Sequence, residues 1–473
     1  MGSIDLKSAP SPSVAHLSTI PYFTPLNNAG AALDPSSPDT PTLFQPLQIR
    51  SVTLKNRIMV APMCQYSCEP NPSSPFVGAL TDYHLVHLGH FALKGASLVI
   101  IEASAVQTNG RITPWDTGLW QFDQGTSSEQ FKGLKRVVDF CHSQGSKVGI
   151  QLAHAGRKAS TSPPWLATQA GVRSIKADSS VFGWPDNVVG PTGGDSQAWS
   201  TDGIGYWPPR ELSTSEVEEV VLAFQRSAEL AVKAGVDVIE IHAAHGYLIH
   251  QFLSPVTNHR TDKYGGNYLN RIRILTEIAT AIRSVIPDST PLFLRISATE
   301  WLEDIDIPNH LPISPTSDTE LTWSLPSTLK LTPHLPLLGI DLLDVSSGGN
   351  HSLQKIQPHN TYQIDLASEI RKHIRSSGDS TTLIGAVGLI TEAERARDIV
   401  RLCPQDTISK ETETSDIKLE AQIAQQMTSG PEEQRKADVV LVGRQFLRES
   451  EWVMKVAKEL GVGVHCAVQF GRA

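Results

Sequence analysis

Three side chains with complementary proton chemistry stand between positions 242 and 247: His242, His245 and Tyr247. Two neutral imidazoles close together can donate N–H bonds to a single substrate oxygen, and a nearby phenol can give or take a proton. They directly follow Val236-Asp237-Val238-Ile239-Glu240-Ile241, a run that alternates apolar with acidic residues and reads as a buried strand. The carboxyl end of a parallel strand is where barrels and doubly wound sheets carry their active sites. One such histidine alone is more often a satisfied structural residue. Three reactive groups at one strand end, followed by the Gly-rich charged run NHRTDKYGGN, point to chemistry.

The elements that must position them alternate along the chain. Short, β-branched, apolar runs at Ile58–Pro62, Ser97–Ala103, Lys147–Leu152, Val236–Ile241, Pro291–Ile296, Gly339–Val345, Thr382–Val387 and Asp438–Val442 read as parallel strands covered on both faces. Amphipathic helices fall between them. The clearest is Ser213–Ala234, with Val217, Val220, Val221, Phe224, Ala228 and Ala231 on one stripe, a Ser213/Glu216 capping box and Gly235 as its stop. Eight such alternations predict a TIM (β/α)8 barrel of the α/β class, and no G-x-G-x-x-G follows any strand to suggest a Rossmann domain. The stretch from Thr42 predicts a hairpin capping the closed end of the barrel. Residues 1–40, rich in Pro, Ser and Ala, read as a flexible arm preceding a barrel over 41–473. Thr161–Tyr206, Asp304–Thr319 and Gln405–Gln434 exceed a minimal barrel and read as inserted loops, the first placed where a substrate lid belongs. Pro333 and Pro336 should shorten or kink the helix expected over Leu325–Leu338.

Composition narrows the partners. In 473 residues the net charge is −9, and the pI near 6.0 argues against nucleic acid. No apolar run is long enough to span a bilayer, and the first residues lack the apolar segment of a secretory signal. Five scattered cysteines make no disulfide framework. The expectation is a reduced, cytoplasmic protein. No metal set emerges, since Cys64 and Cys68 have no second pair and the histidines lack acidic co-ligands at i+4.

Each strand end adds a polar group. The first gives Ala61, Pro62, Met63 and Cys64, with Tyr66 beyond; the second Ala103; the third Gln151, followed by His154, Arg157 and Lys158. The fifth gives Arg295, the sixth Ser346-Ser347-Gly348-Gly349, the seventh Gly385 and Gly388, the eighth Gly443-Arg444. Gly-rich turns joined by arginine at one rim form a cradle for a phosphate. With a Gln amide and an Arg near the centre, this points to an anchored organic phosphate cofactor.

APMCQY, QLAHAGRK, HAAHGYLIHQFLSP, NHRTDKYGG, RISA, VSSGG and LVGR together resemble the Old Yellow Enzyme family of flavin-dependent ene-reductases, from about Leu43 to the carboxyl terminus. The resemblance implies non-covalent FMN held by Ala61–Cys64, Ala103, Gln151, Arg295, Gly388 and Gly443-Arg444. It implies NADPH or NADH as reductant and an activated alkene as the second substrate, bound in turn in one pocket that Tyr66 and Lys158 help to line. His242 and His245 would hold the alkene's carbonyl, and Tyr247 would protonate the α-carbon as hydride reaches the β-carbon. Cys64, where classical members carry threonine, together with Tyr66 and the VQFGRA terminus, resembles the thermophilic-like branch. There a tail arginine, here Arg472, reaches a neighbouring active site, implying a homodimer or higher homo-oligomer. The alternative on the same fold is a flavin-dependent dehydrogenase or isomerase of a specialised biosynthetic pathway.

Overall fold

The computed structural model describes residues 28–200, 202–305, 320–401 and 435–470. Among the described residues the strands are β1 Leu47–Ile49, β2 Val52–Leu54, β3 Ile58–Val60, β4 Leu98–Ala105, β5 Lys147–Ala153, β6 Val189–Gly190, β7 Arg210–Glu211, β8 Val238–Ala243, β9 Leu292–Ser297, β10 Leu342–Ser346, β11 Leu383–Val387 and β12 Val439–Val442. Eight of them, β3-β4-β5-β8-β9-β10-β11-β12, close into a barrel in which every neighbouring pair is parallel. This is the TIM barrel read from the alternation of elements.

The barrel has two apolar layers. Val440, Val442, Ile239 and Ile241 face outward onto the helices, whereas Met59, Leu98, Val238, Phe293, Leu342, Val439 and Leu441 face inward. The β1–β2 hairpin joins the inner layer through Ile49, Val52 and Leu54 and so caps one end. Helix Thr214–Lys233 carries the expected reciprocal cap, Ser213 accepting from the Glu216 amide and Glu216 accepting from the Ser213 amide. The proline-bearing segment is helical only over Leu325–Leu331 and tightens into a 3-10 turn at Thr332–His334, because Pro333 and Pro336 lack the N–H to continue.

Two expectations shift. The strand read as Val236–Ile241 runs Val238–Ala243, so His242 is a strand residue rather than the first residue after it. The preceding Asp237 is a partner of backbone amides instead, accepting from the Val148 amide at 2.8 Å. The arm read as free to residue 40 is tied down in part. The Gly30 and Leu33 amides donate to the His465 and Gly463 carbonyls, each at 2.8 Å, and the Asn56 amide donates to the Gly30 carbonyl at 3.0 Å. Residues 1–27, Gln405–Gln434 and most of Asp304–Thr319 lie outside the described residues. Among the described residues no helix is long and apolar enough to cross a membrane.

Candidate active site

β8 hands the chain to a tight turn, Ala244–Tyr247, and then to helix Leu248–Leu253. His245 has φ 60° and Gly246 φ 71°. A left-handed non-glycine residue is costly and persists only where its surroundings hold it. Here Ser297 Oγ accepts from the His245 amide at 2.9 Å, and Lys158 Nζ donates to the His245 carbonyl at 2.9 Å and to the Gly349 carbonyl at 3.2 Å. The glycines are required by contact as well as by φ. A Cβ on Gly246 would lie 2.2 Å from the Gly349 oxygen, and one on Gly349 would lie 2.5 Å from the His245 backbone. The turns after β8 and β10 thus nest together with no room for side chains.

The three reactive rings meet at this turn. His242 and His245 have centroids 5.2 Å apart and His242 and Tyr247 5.0 Å apart, both pairs edge to face. The Ala244 amide donates to His242 Nδ1 at 3.3 Å, so in the neutral ring the proton sits on Nε2. Burial holds both imidazoles well below the usual histidine range, with the Arg295 guanidinium the next contributor. Burial likewise pushes the Tyr247 phenol well above its ordinary value. The result is two neutral imidazoles beside a protonated phenol. The Lys158 ammonium lies 4.8 Å above the Tyr247 ring and 5.2 Å from the Trp199 ring. Burial, then Arg157 and Arg173, bring its pKa down to about 7.

Strand register assembles a second layer inside the barrel. Gln151 pairs with Glu240 across β5–β8, and Arg295 pairs with His242 on one side and Asp344 on the other. Gln151 Nε2 donates to Glu240 Oε2 at 2.7 Å, and Arg295 Nε lies 3.1 Å from Asp344 Oδ2. That ion pair is close but poorly aligned. Arg295 Nε, both Asp344 oxygens and Glu240 Oε1 are buried without a hydrogen-bond partner. Burial, then the Asp344 carboxylate, push Glu240 up to about 8. Glu240 and Asp344 were absent from the residues singled out in the sequence. Their signal was an acidic residue inside an apolar strand, in VDVIEI and in GIDLLDV.

After β3, Ala61 is buried and Pro62, Met63 and Cys64 are half-buried. The Gln65 amide donates to Glu102 Oε1 at 2.9 Å, pinning this loop to β4. Burial raises the Cys64 thiol well above its usual range, with Asp116 and Glu102 adding to it. Tyr66, at φ 51°, meets the edge of Trp165 at 5.9 Å, so helix Pro164–Gln169 of the first insertion leans on the pocket wall. Ala103 and Tyr247 line a common cavity. Gly443 follows β12 beside Met63, whose sulfur lies 3.5 Å from the position a Gly443 Cβ would take. Arg444 is exposed on the same rim. Gly388, at φ 105°, packs against Gln363, whose amide donates to the Val387 carbonyl at 2.9 Å and accepts from Ser347 Oγ at 3.0 Å. Arg472 lies outside the described residues.

The unspent hydrogen-bonding capacity of Arg295 beside the Gln151 amide suits a flat, polar heteroaromatic ring, and the Gly388 and Gly443-Arg444 turns suit its phosphate. Among the described residues no group of three or more His, Cys, Asp or Glu side chains could hold a metal ion.

A closed parallel barrel with polar groups gathered at the carboxyl ends of its strands is the architecture of a barrel enzyme. Residues 42–311 match the model of the NADH:flavin oxidoreductase / NADH oxidase family, and the chain belongs to that family, the Old Yellow Enzyme group of flavin oxidoreductases. It is 41% identical over 453 residues to an NADH:flavin oxidoreductase of Gibberella zeae, covering 95% of this chain and 92% of that one. It is 36% identical over 434 residues to an NADPH dehydrogenase of Listeria monocytogenes, covering 91% and 98%. Morphinone reductase in complex with tetrahydroNAD superposes with a TM-score of 0.58 at 22% identity, covering 90% of this chain and 93% of that one. The old yellow enzyme homologue from Zymomonas mobilis gives 0.57 at 21%, covering 89% and 93%. These two likenesses concern the fold.

Proposed function

We propose that the protein is an FMN-dependent, NAD(P)H-oxidising ene-reductase that reduces the carbon–carbon double bond of α,β-unsaturated carbonyl compounds. The observation that carries this reading is the trio at the end of β8: two imidazoles kept neutral and one phenol kept protonated, ring to ring at the barrel mouth. Bound FMN would supply two-electron hydride chemistry between the nicotinamide and the alkene's β-carbon.

The residues of the chain then have distinct tasks. Gln151 would bind the polar edge of the flavin, Arg295 would offset the negative charge of its reduced form, and the Gly388, Gly443 and Arg444 turns would hold its phosphate. The Nε2–H of His242 and a ring N–H of His245 would hold the substrate's carbonyl oxygen and stabilise the enolate-like charge that develops there. Tyr247 would keep a proton at Oη and give it to the α-carbon. The Lys158 ammonium over the Tyr247 ring, attached to the backbone of both nested turns, would hold that phenol in place. Trp165 against Tyr66 would help exclude water. The half-buried Cys64 and Tyr66 favour the thermophilic-like branch, and the names of the Gibberella and Listeria relatives support a nicotinamide nucleotide as reductant.

A visible spectrum of the purified protein tests the reading. A flavin band that bleaches anaerobically with NADPH and returns on adding an enone, with the saturated ketone as product, is expected. Reoxidation by oxygen but by no activated alkene would overturn the ene-reductase reading. Absence of nicotinamide-derived label from the product would favour an isomerase or dehydrogenase.

A further inference from the structure

We propose that Ser346, the last residue of β10, is a positioning residue that fixes the tautomer of His245, so that Nδ1 presents a proton to the substrate's oxygen. The inference rests on the reading of His242 and His245 as the pair that holds that oxygen. Both rings can donate to one atom only if each carries its proton on the nitrogen facing it. For His242 the backbone decides: the Ala244 amide can only donate, and it occupies Nδ1. For His245 the partner is different in kind. His245 Nε2 lies 2.7 Å from Ser346 Oγ, and a hydroxyl can donate or accept.

Proton accounting chooses between the two arrangements. Ser346 is 3% exposed, and among the described residues His245 is the one hydrogen-bond partner of its hydroxyl. If His245 donated from Nε2, the buried Ser346 proton would have no acceptor, and a lone pair on Nδ1 would face the substrate's oxygen. If Ser346 donates to Nε2, its proton is spent and Nδ1 carries the ring proton outward. The second arrangement gives the buried Ser346 proton an acceptor and leaves the Nδ1 proton for the substrate's oxygen, and leaving a buried donor unmade is the costlier state.

The surrounding frame holds the turn that carries this ring. Ser346 pairs in register with Ser297 on β9. Ser297 Oγ accepts from the His245 amide at 2.9 Å and donates to the Gly348 carbonyl at 2.8 Å. One serine of the pair therefore clamps the His245 main chain while the other sets its ring. Neither contact could be read from chain proximity, since Ser346 is far along the sequence from His245.

The test is a long-range ¹⁵N–¹H correlation spectrum of flavin-loaded, ¹⁵N-histidine-labelled protein, with His245 assigned by its loss in His245→Asn. Wild type should show His245 protonated at Nδ1 and His242 at Nε2. Ser346→Ala should move His245 toward the Nε2-protonated form and raise the enone KM about tenfold, the weight of one hydrogen bond. Ser346→Thr, which keeps the hydroxyl, should restore the wild-type pattern. A wild-type His245 protonated at Nε2, or an unchanged His245 signal in Ser346→Ala, would overturn the proposal. If Ser346→Ala does not fold, the wild-type and Ser346→Thr spectra still decide it. Failure of every enone to reoxidise the flavin would count against the ene-reductase reading and leave the tautomer measurement standing.

Discussion

At the hairpin-capped end of the barrel, Asp237, Asp341 and Asp438 each stand immediately before a strand and accept the backbone amide of a neighbouring one. The donors are Val148 at 2.8 Å, Leu292 at 2.8 Å and Ile384 at 2.9 Å. Their remaining oxygen capacity is taken by cations: Lys147 with the His142 ring on Asp237, Arg50 on Asp341, and Arg371, Arg375 and Arg435 on Asp438. Toward the open end, Glu240 and Asp344 are fully buried yet keep oxygens without partners, beside an arginine whose Nε is also unspent. The same residue types serve closure at one end and a ligand site at the other. What separates them is whether their hydrogen-bonding capacity is filled by the chain.

The largest expected effect breaks the open end alone. Tyr247→Phe should slow alkene reduction by about 10²–10⁴ while sparing flavin reduction by NADPH. Stopped-flow measurement of the two half-reactions checks this, and equal slowing of both would remove Tyr247 from the proton-donor role. At the closed end, Asp438→Ala should cost about 3–5 kcal/mol by leaving its arginines without their shared anion. Denaturant unfolding measures that loss, and the rate constants of the folded fraction should not change. A variant with wild-type stability would show that the floor carboxylates are not what holds the barrel shut.

The two ends should also differ in the sign of their pH response. Burial raises the folded pKa of Glu240 to about 8 from 4.5. Its favourable share of stability is therefore full below about 4.5 and is lost as pH rises through about 8. Glu240→Gln should accordingly gain on wild type as pH rises from about 4.5 to about 8. Asp237 behaves oppositely. Burial alone would raise it, but its bonds and charges from His142, Lys147 and the Val148 amide bring it below 3.8. Its contribution is present above that value and lost on acidification, so Asp237→Asn should be most destabilised relative to wild type near neutral pH. Unfolding curves of both variants against pH would refute the contrast if the slopes shared a sign. The smallest effect is local: Ser213→Ala should cost about 1 kcal/mol through loss of the helix cap, with no change in turnover.

Much of the barrel was legible along the chain because its signals are local. β-branched apolar runs, the 3.6-residue stripe of Val217, Val220 and Phe224, and the Ser213/Glu216 cap each arise within a few residues. The trio at the end of β8 was legible for the same reason, since His242, His245 and Tyr247 share one turn. The polar layer beneath it was legible only in part: Gln151 and Arg295 stood out at their strand ends, whereas Glu240 and Asp344 did not. Glu240, Gln151, Arg295 and Asp344 come from four strands, and their register decides that they meet. Nor did composition show that residues 30–33 pair with 463–465, because that pairing joins segments from opposite parts of the chain.

By itself, then, the sequence determined the kind and order of the elements and the chemistry available at each strand end, since propensity, periodicity and capping act over short spans. Only the tertiary structure decided which of those groups face one another. It set Ser346 on the His245 ring, Lys158 over Tyr247 and Trp165 against Tyr66. Closing a barrel fixes every strand's stagger at once, and no short window of the chain contains that constraint.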